Sequence, residues 1–259
     1  MTAMKKRVTL FPIFLLLLSA LSVSAQDFKV ILENVDSLAN FPDNDFAAEY
    51  TIVHDRPGRG RDTTVSAIFR RDSKQQYTIV VMEPDSKKGQ GYLKQGKTLW
   101  FYDPTSRRFN STSSRDRFQN SNARNSDFTD STLALDYDVV SSDRVKLGRF
   151  DCWLMELEAN NDEVTYPKMR VWVDDENLIR KSEDYSLSGQ LMRITAFPEY
   201  QIVQGKAIPR AMLIVDALAG ATIDGKFVNE RTQISISKVS LDDLPNSVFS
   251  KAFLENVSQ

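Results

Sequence analysis

Apolar residues recur along this chain at two periods. Between Asp27 and Leu38 they fall at i, i+3, i+4, i+7 and i+10 (Phe28, Ile31, Leu32, Val35 and Leu38). That spacing puts one apolar stripe on a helix, with Asp27 as candidate N-cap. From residue 46 to residue 239 the period shortens to two, as in Phe46, Ala48, Tyr50 and Ile52. Turn signals such as Arg71-Asp72-Ser73-Lys74 and Gln95-Gly96-Lys97 separate the runs. This rhythm predicts about eleven strands in a meander curled into a barrel or half-barrel. Helical spacing returns at Phe249, Phe253 and Val257, with Asn246 as its candidate cap.

The run Gly96-Lys97-Thr98-Leu99-Trp100-Phe101-Tyr102-Asp103-Pro104 departs from simple alternation. Breakers flank four consecutive apolar residues. A strand sends Leu99 and Phe101 to one face and Trp100 and Tyr102 to the other. With both faces apolar, each needs a covering: a core, a lid or an apolar ligand. Residues 110–126 are rich in Ser, Asn, Arg and Asp and lack an apolar period. They predict a long mobile loop leading into a short helix or turn at Asp127–Leu133.

The N-terminus has the pattern of a secretion signal. Lys5, Lys6 and Arg7 precede the apolar run from Val8 to Leu18, and Val23-Ser24-Ala25 offers small residues for cleavage after Ala25. The reading is therefore a signal peptide over 1–25 and a single domain over 26–259. The full chain of 259 residues carries a net charge of −2, and removing three basic residues takes it to −5. A mildly acidic chain lacks the basic excess of a nucleic-acid binder. Cys152 is the single cysteine, so no intramolecular disulfide forms, and it reads as a small buried residue at a strand start.

Catalytic patterns stay at background. The single histidine, His54, reads as an exposed residue at a strand end, and with one Cys it makes a poor metal set. Asp174-Asp175-Glu176 reads as an exposed turn, and Ser235 with Lys238 falls in a strand where a Ser-x-x-Lys site needs a helix. No catalytic residue, metal or cofactor is assigned. The remaining signal is the aromatic and apolar content of the strands. Leu99, Trp100, Phe101, Tyr102, Trp153, Trp172 and Phe197 are the candidate lining of a cavity, because a barrel of about eleven strands leaves room inside.

The 96–104 run resembles the hallmark strand of the LolA-like family, the bacterial outer-membrane lipoprotein-sorting proteins. Asn122-Ala123-Arg124-Asn125-Ser126-Asp127-Phe128-Thr129 and the ending Leu244-Pro245-Asn246-Ser247-Val248-Phe249-Ser250-Lys251-Ala252-Phe253-Leu254 are similar to segments of that family's permease-associated branch. The resemblance implies a half-open antiparallel β-barrel, mainly β, with a few helices over its mouth. It implies a periplasmic, non-enzymatic carrier that shields acyl chains of lipoproteins or other lipids. The donor would be an inner-membrane ABC-type permease complex and the acceptor the outer membrane or a receptor on it. Phe28, Ile31, Leu32, Val35, Phe128 and Leu133 are then the lid candidates, with Arg70 and Arg71 as positional candidates for a lid-latching arginine. An envelope sensor or accessory module working through a protein partner on the same fold is the alternative, and an envelope enzyme is the third.

Overall fold

The structure, a computed structural model, describes residues 27–257. The candidate signal segment lies outside them. Helix α1 (Phe28–Ala39) starts where the stripe predicts, and Asp27 Oδ1 accepts the Lys29 backbone N–H at 3.0 Å. Thirteen strands follow. They are β1 (Phe46–Arg56), β2 (Gly60–Arg71), β3 (Gln76–Glu83), β4 (Gly91–Gln95), β5 (Thr98–Asp103), β6 (Arg108–Ser111), β7 (Tyr137–Leu147), β8 (Phe150–Ala159), β9 (Lys168–Asp174), β10 (Ile179–Tyr185), β11 (Leu191–Val203), β12 (Lys206–Ile223) and β13 (Lys226–Ser240). Short helices α2 (Leu133–Asp136) and α3 (Lys251–Val257) complete the chain.

All thirteen strands form one antiparallel sheet in the order β6-β5-β4-β3-β2-β1-β13-β12-β11-β10-β9-β8-β7. Two sequential meanders meet where β1 pairs with β13. The edges, β6 and β7, do not pair with each other, so the barrel stays open. The count exceeds the expected eleven or so. One added strand is β6, whose Arg-Phe-Asn-Ser sequence carries no apolar rhythm and which is held by pairing with β5.

That topology explains the long connection after β6. It must pass from one edge of the sheet to the other, and it does so over the inner face. Phe118, Ala123 and Phe128 are buried in the core shared with β1–β5, β12 and β13. Further along, Asn122 N–H donates to Thr232 Oγ1 of β13 at 2.9 Å. The expected mobile loop is thus a packed plug, because three apolar residues and buried Asn125 anchor an otherwise polar sequence.

Two other cores flank this one. α1 lays Ile31, Leu32 and Val35 against Met155, Leu157, Val171 and Val173 on the inner face of β8 and β9. On the outer face, Leu254 of α3 joins Val80, Leu93 and Tyr102. That covering accounts for β3, buried at five consecutive residues from Tyr77 to Val81. It also fixes Gly91, where a Cβ would stand 2.5 Å from Leu254 Cδ2. The C-terminal helix is shorter than its pattern suggests. Asn246–Phe249 forms a 3-10 turn, Ser250 is extended, and the Asn246 carboxamide accepts from Arg71 Nη1 at 2.6 Å instead of capping.

Candidate functional site

Between α1, residues 126–131 and the sheet lies a cavity of about 270 Å³. Its apolar wall includes Val35 and Leu38 of α1, Phe41, Tyr50 of β1, Phe197 and Tyr200 of β11, Met212 of β12 and Ile236 of β13. Arg70, Ser126, Asp127, Thr129, Asp130 and Ser131 add polar groups. Burial pushes the Tyr50 phenol up to about 12 and raises Tyr200 as well, so both line the cavity as neutral groups. The Tyr200 hydroxyl donates to the Ile179 carbonyl at 2.7 Å.

Two polar clusters hold the covering segments. Asp36, on α1, accepts from Ser131 Oγ at 2.6 Å and from the backbone N–H groups of Leu133 and Ala134 at 3.0 and 2.8 Å. One turn on, the Asn40 carboxamide exchanges two bonds with the Ser131 backbone, at 2.6 and 2.7 Å. The helix and the segment after the plug are therefore tied to each other.

The second cluster ties the plug to the sheet. Arg193 of β11 donates Nη1 to both Asp127 oxygens, at 3.0 and 2.7 Å, and Nε to Asp184 of β10 at 2.7 Å. Asp184 is fully buried, and desolvation raises its pKa against the pull of Arg193. The guanidinium stays charged because Asp127 and Asp184 outweigh its own desolvation.

Arg70 and Arg71 do different work. Arg70 pairs with Asp72 at 2.7 Å and lies over the rings of Phe41 and Phe46, bracing the connection after α1. Arg71 joins the segment just before β1 to the segment after β13, through Asp45 at 2.6 Å and the Leu244 carbonyl at 2.5 Å.

Of the predicted cavity residues, Phe197 lines the cavity. Leu99 and Phe101 face the inner core, Phe101 with its ring 5.2 Å from that of Tyr92. Trp100 and Tyr102 face outward into the cluster beneath α3. Trp153 is on the inner face, 5.2 Å from Phe28. Trp172 alternates away from buried Val171 and Val173, and Lys181 Nζ sits 4.3 Å over its ring. Among the predicted lid residues, Val35 lines the cavity. Phe28, Ile31, Leu32 and Leu133 pack over β8 and β9. Phe128 is buried between Tyr50 and Phe118, at 5.9 and 4.7 Å.

Tyr200, Met212, Asp36 and Arg193 escaped the sequence reading. Tyr200 does so for a geometric reason: it is three residues from Phe197, so strict alternation would send the two to opposite faces. Register shifts on either side of Glu199 turn both inward.

His54 is 4 % exposed, not a surface turn residue. Its Nδ1 lies 3.0 Å from Thr232 Oγ1 and its Nε2 3.6 Å from Glu230. Burial lowers its pKa despite Glu230. Asp174 is likewise buried, closing its own turn by accepting from the Glu176 and Leu178 N–H groups. Cys152 is buried, and desolvation raises its thiol. Among the described residues no group of three or more His, Cys, Asp or Glu could hold a metal ion, and no helix is long and apolar enough to cross a membrane.

A family model described as "uncharacterized protein" matches residues 73–256, more than half of the chain. No curated protein sequence matches. Solved structures do. A LolA superfamily protein from Nitrosomonas europaea is 24% identical, with 87% of this chain and 98% of that one covered and a TM-score of 0.72. A domain described as an outer membrane lipoprotein-sorting protein domain, from Vibrio parahaemolyticus, is 17% identical over 88% and 97%, with a TM-score of 0.74. A DUF1329 family protein from Desulfovibrio piger is 19% identical over 87% and 97%, also at 0.74. The chain belongs to the family matched over residues 73–256, and its fold is the open β-barrel of the LolA superfamily protein and the two other structures it resembles.

Proposed function

We propose that this protein is a periplasmic carrier that shields the acyl chains of lipoproteins or other lipids between an inner-membrane ABC-type transporter and the outer membrane. The observation that carries this reading is the apolar cavity closed by segments tied down with polar bonds. An acyl chain gains about 0.8 kcal/mol for each methylene removed from water, so it crosses an aqueous space only if covered. The cavity, of about 270 Å³, is lined by short covering segments on one side and the sheet on the other. We infer that the covering segments swing aside as cargo enters. Polar latches suit that motion, since water satisfies their groups once they part, and the covering then competes with cargo for the same wall. The role requires no catalytic step.

Native mass spectrometry of the mature protein, gently purified from its own envelope, tests the proposal. A population carrying the added mass of a lipid or acylated peptide is expected. A spectrum of protein alone, with no uptake when lipid is supplied, would refute it.

A further inference from the structure

A second cavity, of about 200 Å³, lies across the Arg193–Asp127 bridge from the first. It is lined by Arg117, Asn122, Arg124, Tyr166, Arg193 and Asp216 among others, while Asp127, the partner of Arg193, lines the apolar cavity. The Arg193–Asp127 bridge therefore stands between the two spaces.

The polar groups of this second cavity are unevenly spent. Asp216 is engaged at both oxygens: one accepts the Leu218 and Ala219 N–H groups at 2.9 Å each and the other accepts Arg117 Nη2 at 2.5 Å. Arg117 Nη1 donates to Asn122 Oδ1 at 3.0 Å, which fixes the oxygen end of that carboxamide. Asn122 is 4 % exposed, and its Nδ2 has no hydrogen-bond partner among the described residues. Arg124 uses Nε for the Tyr166 hydroxyl and Nη1 for the Arg115 carbonyl. Arg193 uses Nε and Nη1. Asp127 and Asp184 balance Arg193, and Glu230 stands 3.9 Å from Arg117; Arg124 has no carboxylate within 4 Å among the described residues, and its charge reaches Asp116 and Asp184 only at longer range. What the cavity still offers is N–H donors around a cation, and a buried donor without an acceptor is costly.

We propose that this cavity seats the oxygens of a phosphate or carboxylate group, the polar head of an amphiphile whose chain occupies the neighbouring apolar cavity. The inference rests on the carrier reading for the chain and on the donor set for the head. Guanidinium and carboxamide N–H groups match tetrahedral or planar oxyanions, whereas a cationic head would meet the Arg124 charge and leave the Asn122 N–H unpaired.

Calorimetric titration with dodecyl phosphate, dodecanol and inorganic phosphate tests it. The wild-type protein should prefer dodecyl phosphate over dodecanol by about tenfold or more, as expected for hydrogen bonds to a charged group. Asn122→Asp replaces the free donor with a carboxylate oxygen and keeps an acceptor for Arg117; Arg124→Gln removes the cation. Either variant should bring the preference close to unity. Competition by inorganic phosphate would make a free oxyanion a sufficient occupant, and no competition would make the tethered head the occupant; each supports the seat. Equal binding of the two amphiphiles by the wild type, or an undiminished preference in both variants, overturns it. If neither amphiphile binds, the carrier reading fails, and inorganic phosphate decides the seat: uptake abolished by Asn122→Asp sustains it, and absence of uptake overturns it.

Discussion

Substituting Asp36 with alanine removes the acceptor of three hydrogen bonds joining α1 to residues 131–134. The groups are half-buried and regain water when the latch parts, so the cost should be about 1–3 kcal/mol. The variant should also bind an apolar fluorescent dye more readily, because the cavity opens more often. Unfolding midpoints and dye titrations check both effects, and an unchanged pair of values would show that this latch does not govern access. Arg193→Met is the harsher change, since it leaves buried Asp184 and half-buried Asp127 without their cation. A loss of about 3–5 kcal/mol is expected, against a far smaller one for breaking the exposed Lys97–Glu163 pair with Lys97→Met. Denaturant titration of both variants measures the contrast. At this scale the sequence is least informative. Asp36 and Arg193 sit among many acids and arginines, and nothing local marks the ones that a distant segment will bury.

Elements were easier to read, and where they deviate the cause is a neighbour. The stripe on α1 and the two-faced run at 98–102 were legible because period alone sets which residues share a face. The pattern did not say what covers each face of β5. That depends on the plug crossing one side and α3 closing the other, both contacts between residues far apart in sequence. Likewise, Tyr200 joins the cavity through shifts in register that alternation does not encode. The clasp that Arg71 of β2 makes with Asp45 and Leu244 makes its own prediction. Burial alone would raise the Asp45 carboxyl. The Arg71 hydrogen bonds and charge and the Leu244 N–H outweigh it and hold the group below the usual carboxylate range. Because its folded pKa is the lower one, the stability it contributes is complete above the unfolded value of about 3.9 and is lost as pH falls through the folded value. Asp45→Asn should therefore be less stable at pH 7 and show a shallower decline below about pH 4. Melting temperatures across that range test this, and parallel wild-type and variant curves would contradict it.

For the whole molecule, one sheet supplies the frame and the crossing connection supplies the cover. A chain that leaves β6 at one edge and must begin β7 at the other has to traverse the open side of the barrel. The covering segments are short and rest on polar latches, whereas β1, β2, β12 and β13 are paired on both sides. Hydrogen exchange should rank accordingly, with α1 and residues 125–136 opening well before the central strands. Uniform protection would mean that the cover does not move independently. The most direct measurement of the central claim is photolabelling with a long-chain fatty acid that carries a diazirine near its methyl end, followed by peptide mapping. The account predicts labels at cavity residues such as Leu38, Phe197, Tyr200, Met212 and Ile236. Labels confined to exposed apolar positions such as Leu187 and Phe227 would contradict it.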